Sequence, residues 1–369
     1  MVTGFRVKSV LKPLLLMLGV GLLLSSCTGR AVVPRGWSGV TLSNDTLILG
    51  TMDSRLVAVN TSNGSLMWSE PLQNPPSAGV AIYAPPLIAD DLIYVGGYIP
   101  VSGGGRGTVF AYNIGMKEPT WLYPKQGVLD GGIVGGLVFS EGRIYFGSSD
   151  GKVHSLMAKG LFEDWQFATA DKIWSTPAVA GDTVYVTSFD KKLYALDANS
   201  GSKKWEFKTE GAIVSSPVID GGSVYFGSLD RYFYALDAAD GSLKWKFMGD
   251  NWFWSKPVIH NGVVYAANLD GKVYALDAKS GQKTVAFDLG SPSSASPALV
   301  GNRLIVATES GGVYSLDTGS NQQKLLVDLG EKVYSSPAAG VGKVYIHSNS
   351  DKLYEIDTLS GKKTELNIK

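Results

Sequence analysis

Ile173–Phe207 reads IWSTPAVAGDTVYVTSFDKKLYALDANSGSKKWEF, and Ile213–Phe247 reads IVSSPVIDGGSVYFGSLDRYFYALDAADGSLKWKF, the same pattern displaced by 40 residues. A period of about 20–50 residues marks a solenoid, a propeller or an array, and it has to be settled before any site is read. Within one copy every local signal is β. SPVI and VYFG are short β-branched and aromatic runs separated by the turn residues Asp220-Gly221-Gly222. FYALD alternates and ends in Asp237, whose carboxylate can accept backbone N–H groups in the turn that closes at Asp240-Gly241. LKWKF, alternating Leu243, Trp245 and Phe247, reads as a fourth strand.

Working outward, the aromatic of each "VY" strand serves as an anchor. Tyr145, Tyr185, Tyr225, Tyr265, Ile305 and Tyr345 stand 40 residues apart, and Ile48 and Tyr94 hold the same place upstream, with extra residues after each. That makes eight units. A proline precedes six of the anchors by eight residues, from Pro86 to Pro337. The Gly-rich insertion Ile99–Gly105 displaces the second half of the second unit. No segment after residue 30 keeps an apolar helical period. Four strands per unit predict an all-β chain: an eight-bladed β-propeller over residues 37–369, with four antiparallel strands per blade and about 40 residues per repeat. A radial arrangement protects strand edges that an open stack would leave bare.

The first 36 residues are read separately. Arg6, Lys8 and Lys12 form a positive n-region, and Leu14–Leu24 has the length of a signal-peptide core, short of the roughly 20 residues a membrane span needs. Leu24-Ser25-Ser26-Cys27 resembles a bacterial lipobox. The expectation is a cleaved signal peptide over residues 1–26, a lipidated Cys27 and a short tether to residue 36, giving a chain anchored to a membrane rather than spanning it. The protein is then extracytoplasmic, on the outer face of the cell membrane or the periplasmic side of an outer membrane. Cys27 is the chain's single cysteine, so acylation leaves no thiol for a disulfide, a metal or a nucleophile. Lys plus Arg equals Asp plus Glu, 33 against 33, so no net charge asks for nucleic acid.

Twenty residues past the anchor a tryptophan stands in the first five units: Trp68, Trp121 (shifted by the insertion), Trp165, Trp205 and Trp245. The last three units place Val285, Leu325 and Glu365 there. These rings are read as wedges between blades; a ligand-stacking ladder is the other reading.

A proline eight residues before the tyrosine, followed by Y-A-L-D-A-x-x-G-x-x-x-W, resembles the PQQ-type propeller repeat. The likeness runs from Trp37 to the C-terminus and is strongest in Ile173–Phe287. The resemblance implies that the tryptophans dock adjacent blades. Two branches of that superfamily bear on function: the PQQ-dependent alcohol and glucose dehydrogenases, and the BamB-like lipoproteins of outer-membrane β-barrel assembly. Eight units following directly on a lipobox are similar to the second branch. That implies a non-catalytic, lipid-anchored, monomeric scaffold without a cofactor, whose partners are envelope or outer-membrane assembly proteins.

An enzyme needs a constellation of unlike residues. There is no Cys-Cys pair of the dehydrogenase branch and no C-x-x-C-H for covalent haem. His154, His260 and His347 fall on a third strand, in a turn and on a second strand, phases that would not converge on a metal. Asp53, Asp150, Asp190, Asp230 and Asp270 recur five residues after the anchor, which argues turn chemistry, since catalysis breaks symmetry. Gly103–Gly107 reads as a hairpin tip.

The remaining pattern lies eleven residues before the anchor, where the units place Trp37, Tyr83, Val134, Trp174, Val214, Trp254, Ser294 and Tyr334. Trp252 and Phe253 are expected on the same rim. Around a ring these aromatics would stand at one mouth of the channel, either plugging it or forming a docking surface. The rival readings are a quinoprotein holding PQQ with Ca²⁺, as dehydrogenase or sensor, and a glycan or cell-wall binder.

Overall fold

The computed structural model describes residues 36–73, 79–101, 104–113 and 119–369. The expected signal peptide, Cys27 and the tether up to residue 35 lie outside the described residues, as do residues 102–103 of the insertion.

Eight four-stranded sheets follow one another along the chain, each built from four consecutive strands in spatial order. In blade 5 these are Val218–Asp220, Ser223–Gly227, Tyr232–Asp237 and Leu243–Met248, all paired antiparallel. First strands of neighbouring blades touch one another at six of the eight junctions around the ring, which makes them the innermost. Fourth strands are outermost and alternate between exposed and buried positions. None of the described residues is helical.

The middle positions of the second and third strands are mostly apolar and buried because a blade is covered on both faces. Ser223–Gly227 is buried at every position. Side chains of a strand alternate between faces, so Tyr225 packs with blade 6 while Val224 and Phe226 pack with blade 4. The core is therefore eight apolar clusters, one in each gap between consecutive blades. One of them joins Leu47, Leu49, Val57 and Val59 of blade 1 to Tyr345, Leu353 and Leu366 of blade 8.

That cluster closes the ring without exchanging a strand. Polar contacts reinforce the seam: the Met52 N–H donates to Asp351 Oδ1 at 3.0 Å, and His347 Nδ1 donates to the Ser38 carbonyl at 3.0 Å.

The third and fourth strands carry a β-bulge beside the tryptophan position. Ala235 pairs with Trp245 and Leu236 with Leu243, so Lys244 is the extra residue. Its ammonium lies 3.0 Å from Asp237 and donates to the Gly222 carbonyl at 3.1 Å, tying the outer strand to the turns.

The insertion lengthens the hairpin between the second and third strands of blade 2. Leu92–Val101 pairs with Gly104–Asn113 over ten residue pairs, whereas the fourth strand, Trp121–Tyr123, covers only three. Isolated bridges from Ala81 to Tyr98 and from Gly107 to Leu129 brace the extension on both sides.

Candidate interaction surface at the mouth of the ring

Antiparallel strands put the second-to-third hairpins and the loops between blades on one face of the ring. The first-to-second and third-to-fourth turns fall on the other. The residues eleven before each anchor lie on the first face, where the chain enters each innermost strand. Trp37, Tyr83, Trp174, Trp254 and Tyr334 are all half-buried there.

They do not form one uniform circle. Trp37 meets Tyr83 edge to face with ring centroids 4.7 Å apart, and meets Tyr334 at 5.7 Å. Tyr83 in turn stands edge to face with Tyr98, at 5.7 Å and 80°. Tyr334, Trp37, Tyr83 and Tyr98 are thus one contiguous cluster across blades 8, 1 and 2. Burial pushes the Tyr83 phenol up to about 12, and the neighbouring Tyr98 adds to the shift, so the Tyr83 hydroxyl keeps its proton at neutral pH.

Tyr98 escaped the sequence reading although it keeps the repeat phase, four residues past the anchor Tyr94 as Phe189 is past Tyr185, because the other blades place mostly non-aromatic residues there. The signal was in the glycines. A Cβ on Gly105 would stand 2.1 Å from Tyr98 Cε2, and one on Gly132 only 2.0 Å from Cδ2. The Gly-rich insertion thus makes room for a ring.

Trp174, in blade 4, is a separate feature. Its Nε1 donates to Ser149 Oγ at 3.0 Å, Phe189 meets it edge to face at 4.9 Å, and the Lys172 ammonium lies 4.5 Å from the centre of both rings. Trp254 has no ring partner among the described residues. Trp252 is half-buried, and its carbonyl accepts from the Leu269 N–H at 3.0 Å.

Phe253 corrects the expectation. It is 1% exposed and packs between blades 5 and 6, 5.5 Å from Phe233 and 5.9 Å from Tyr274. It stands one residue from the mouth position, at the phase of the buried Ile173 and Ile213, in the loop before the innermost strand, where its N–H donates to the Ser228 carbonyl of blade 5 at 3.3 Å.

Trp165, Trp205 and Trp245 share one geometry. Each indole N–H donates across the gap to the carbonyl of the alanine after the "ALD" triplet of the next blade: Ala198 at 3.0 Å, Ala238 at 3.2 Å and Ala278 at 3.0 Å. The anchor tyrosines of the same blades, Tyr145, Tyr185 and Tyr225, donate to the same three carbonyls. Trp68 and Trp121 are half-buried against the clusters between blades 1 and 2 and between blades 2 and 3.

The repeated aspartates hold turns. Asp190, Asp230 and Asp270 accept from the backbone N–H two residues on and from the hydroxyls of Tyr194, Tyr234 and Tyr274. In blade 3 the tyrosine is replaced by His154, which is buried, stacked on Phe146 at 4.8 Å and 3.6 Å from Asp150. His260 ends a first strand rather than standing in a turn, and lies 3.3 Å from Asn302 Oδ1. The three histidines lie in blades 3, 6 and 8. Among the described residues, no group of three or more His, Cys, Asp or Glu is placed to hold a metal ion.

Comparison with known proteins adds three results. The chain aligns over 161 residues with outer membrane protein assembly factor BamB of Shewanella oneidensis, at 24% identity, covering 40% of this chain and 37% of that protein. It aligns over 89 residues with the quinoprotein alcohol dehydrogenase PedH of Pseudomonas putida, at 34% identity, covering 23% of this chain and 14% of the enzyme. It therefore spans well under two thirds of either relative's length. Among solved structures, the fold is similar to the computationally designed Ika8 protein (TM-score 0.73, 16% identity, 89% of this chain and 98% of that one). It is also similar to BamB from Moraxella catarrhalis (TM-score 0.63, 19% identity, 77% and 87%). At such identities the structural likeness speaks for the fold. One family model matches residues 28–160, 105–216, 163–287 and 269–364, nearly the whole length of the blades. The chain belongs to that family of PQQ-type repeats, the one described as outer membrane protein assembly factor BamB.

Proposed function

We propose that this protein is a non-catalytic scaffold that binds other envelope proteins at the mouth of the ring and assists outer-membrane protein assembly. The observation that carries this reading is the contiguous cluster Tyr334–Trp37–Tyr83–Tyr98, continuous with the braced hairpin of blade 2. Half-buried aromatics clustered beside a projecting strand pair are the usual anchors of a protein interface. The family membership supports the same reading. The protein works as a monomer, held to the membrane by lipid on Cys27. Docking uses loops or a strand edge of the partner, the latter by β-augmentation.

The test is photo-cross-linking in intact cells, with the reactive group placed at Tyr98 or Tyr334, or at Asp240 on the opposite face. Adducts with envelope proteins from the first two positions and not from the third are expected. Adducts only from Asp240 would sink the mouth reading. Palmitate labelling that persists in Cys27→Ala would contradict the anchor.

The dehydrogenase relative favours a second reading, a quinoprotein with calcium. Calcium takes about six to eight oxygen ligands, and no such carboxylate group is gathered among the described residues. Stoichiometric uptake of PQQ in the presence of Ca²⁺, read from its spectrum, would replace the scaffold reading.

A further inference from the structure

Two residues beyond each mouth position, at the entry to the innermost strand, the blades place Gly39, Pro85, Gly136, Thr176, Ser216, Lys256, Ser296 and Ser336. The first strands are innermost, and hydrogen bonds from Ser215 Oγ to the Ser255 carbonyl and from the Lys256 N–H to Ser296 Oγ carry the layer across blade 6, so it surrounds the axis. Hydrogen bonds stitch it from blade to blade. The Gly136 N–H donates to Thr176 Oγ1 at 2.8 Å, Thr176 to Ser216 Oγ at 2.9 Å, Lys256 to Ser296 Oγ at 3.1 Å and Ser296 to Ser336 Oγ at 2.9 Å. Each hydroxyl oxygen is thus used as an acceptor, which leaves its own proton to donate. None of these four hydroxyls donates to another protein group among the described residues.

Lys256 interrupts the belt. It is the one charged residue of the layer and offers no oxygen to the Ser216 N–H. The residue is exposed to solvent, yet protein surrounds it closely enough that desolvation pushes the ammonium below the usual lysine range. No acidic group pairs with it among the described residues. A partly desolvated cation with no partner is unfavourable. The hydroxyls of Ser216 and Ser296, in the blades on either side, have protons to give.

We propose that Lys256, flanked by the Ser216 and Ser296 hydroxyls, is an anion site on the axis of the ring that takes a small oxyanion, a carboxylate or a phosphate. The ammonium supplies a point charge and the hydroxyls supply directed donors. The site does not depend on what docks at the mouth above it.

The test follows thermal unfolding of the full chain in sodium phosphate and in sodium acetate against sodium chloride at matched ionic strength. Either anion should raise the midpoint saturably beyond chloride, since a ligand of the folded state stabilises it by mass action. Lys256→Met should weaken the fitted affinity at least tenfold while leaving the midpoint in chloride unchanged or higher. Lys256→Arg should keep the effect. An unchanged affinity in Lys256→Met, or no gain over chloride with either anion, would overturn the proposal. If Lys256→Met does not fold, the lysine resonances of ¹³C-methylated wild-type protein decide. Saturable movement of the Lys256 signal on adding phosphate or acetate is required, and an unmoved signal refutes the site.

Discussion

Trp37 and Tyr83 belong to adjacent blades, yet their rings meet edge to face at 4.7 Å and join the entrances of two innermost strands. Because Tyr334 and Tyr98 extend the contact on either side, the cluster presents one surface rather than four isolated rings. If this surface is the docking site, Trp37→Ala should weaken partner binding by about 2 kcal/mol or more, roughly thirtyfold, as central aromatics do. Affinity pull-down against the captured partner measures it. Trp174→Ala, four blades from Tyr334, should change binding much less.

Trp245 and Tyr225 share the Ala278 carbonyl as acceptor, which makes their substitutions non-additive. Trp245→Phe removes one donor and should cost about 1 kcal/mol, and Tyr225→Phe a similar amount. The double variant leaves a buried carbonyl with neither donor and should cost more than the sum, by roughly 0.5–3 kcal/mol. Denaturant unfolding of the four proteins in the cycle gives the number. Trp245→Ala, which also empties a buried site, should cost about 3–5 kcal/mol.

Two glycines of blade 5 separate backbone strain from contact. Gly222 and Gly241 both have left-handed φ, +70° and +76°, but a Cβ at Gly222 meets nothing within 4 Å, whereas at Gly241 it would stand 2.5 Å from Trp205 Cε3. Gly222→Ala should cost about 1 kcal/mol, the price of the conformation alone. Gly241→Ala should cost distinctly more and shift the fluorescence of Trp205 toward solvent-exposed values. Equal losses in the two variants would mean that the ring does not lean on the turn.

Acid should loosen the ring at its seam. Burial alone would raise the Asp351 carboxyl, but hydrogen bonds from His347 and the Met52 N–H outweigh it and hold the group at about 2. Its unfolded value is about 3.9, so the stabilisation is fully present above about pH 4 and is lost as pH falls from 4 toward 2. The contribution is on the order of 2–3 kcal/mol. Asp351→Asn should therefore be less stable than wild type at neutral pH, and the gap should close near pH 2. A gap that stays constant from pH 6 to pH 2 would place the stabilisation elsewhere.

The repeat alone was enough for the blades. A 40-residue period with four β runs per copy leaves few ways to bury both faces of every sheet, and an eight-bladed ring is one that does. The turn role of Asp190, Asp230 and Asp270 was also legible, because a residue that recurs in phase meets the same local backbone each time. What the pattern could not supply is whatever depends on two blades at once. Phe253 stands beside the rim residues in the chain but faces the core, because the loop it lies in is packed into the gap between blades 5 and 6. Tyr98 stands at a phase where only blade 4 has another aromatic, Phe189, so the repeat did not single it out, and only the folded hairpin brings it against Tyr83. Ring closure is of the same kind: His347 and Asp351 reach Ser38 and Met52 across some 300 residues of chain, a meeting that spacing cannot express. Periodicity determined the blades because each blade is local, and tertiary structure decided the surface because it is made where blades that are distant in sequence come together.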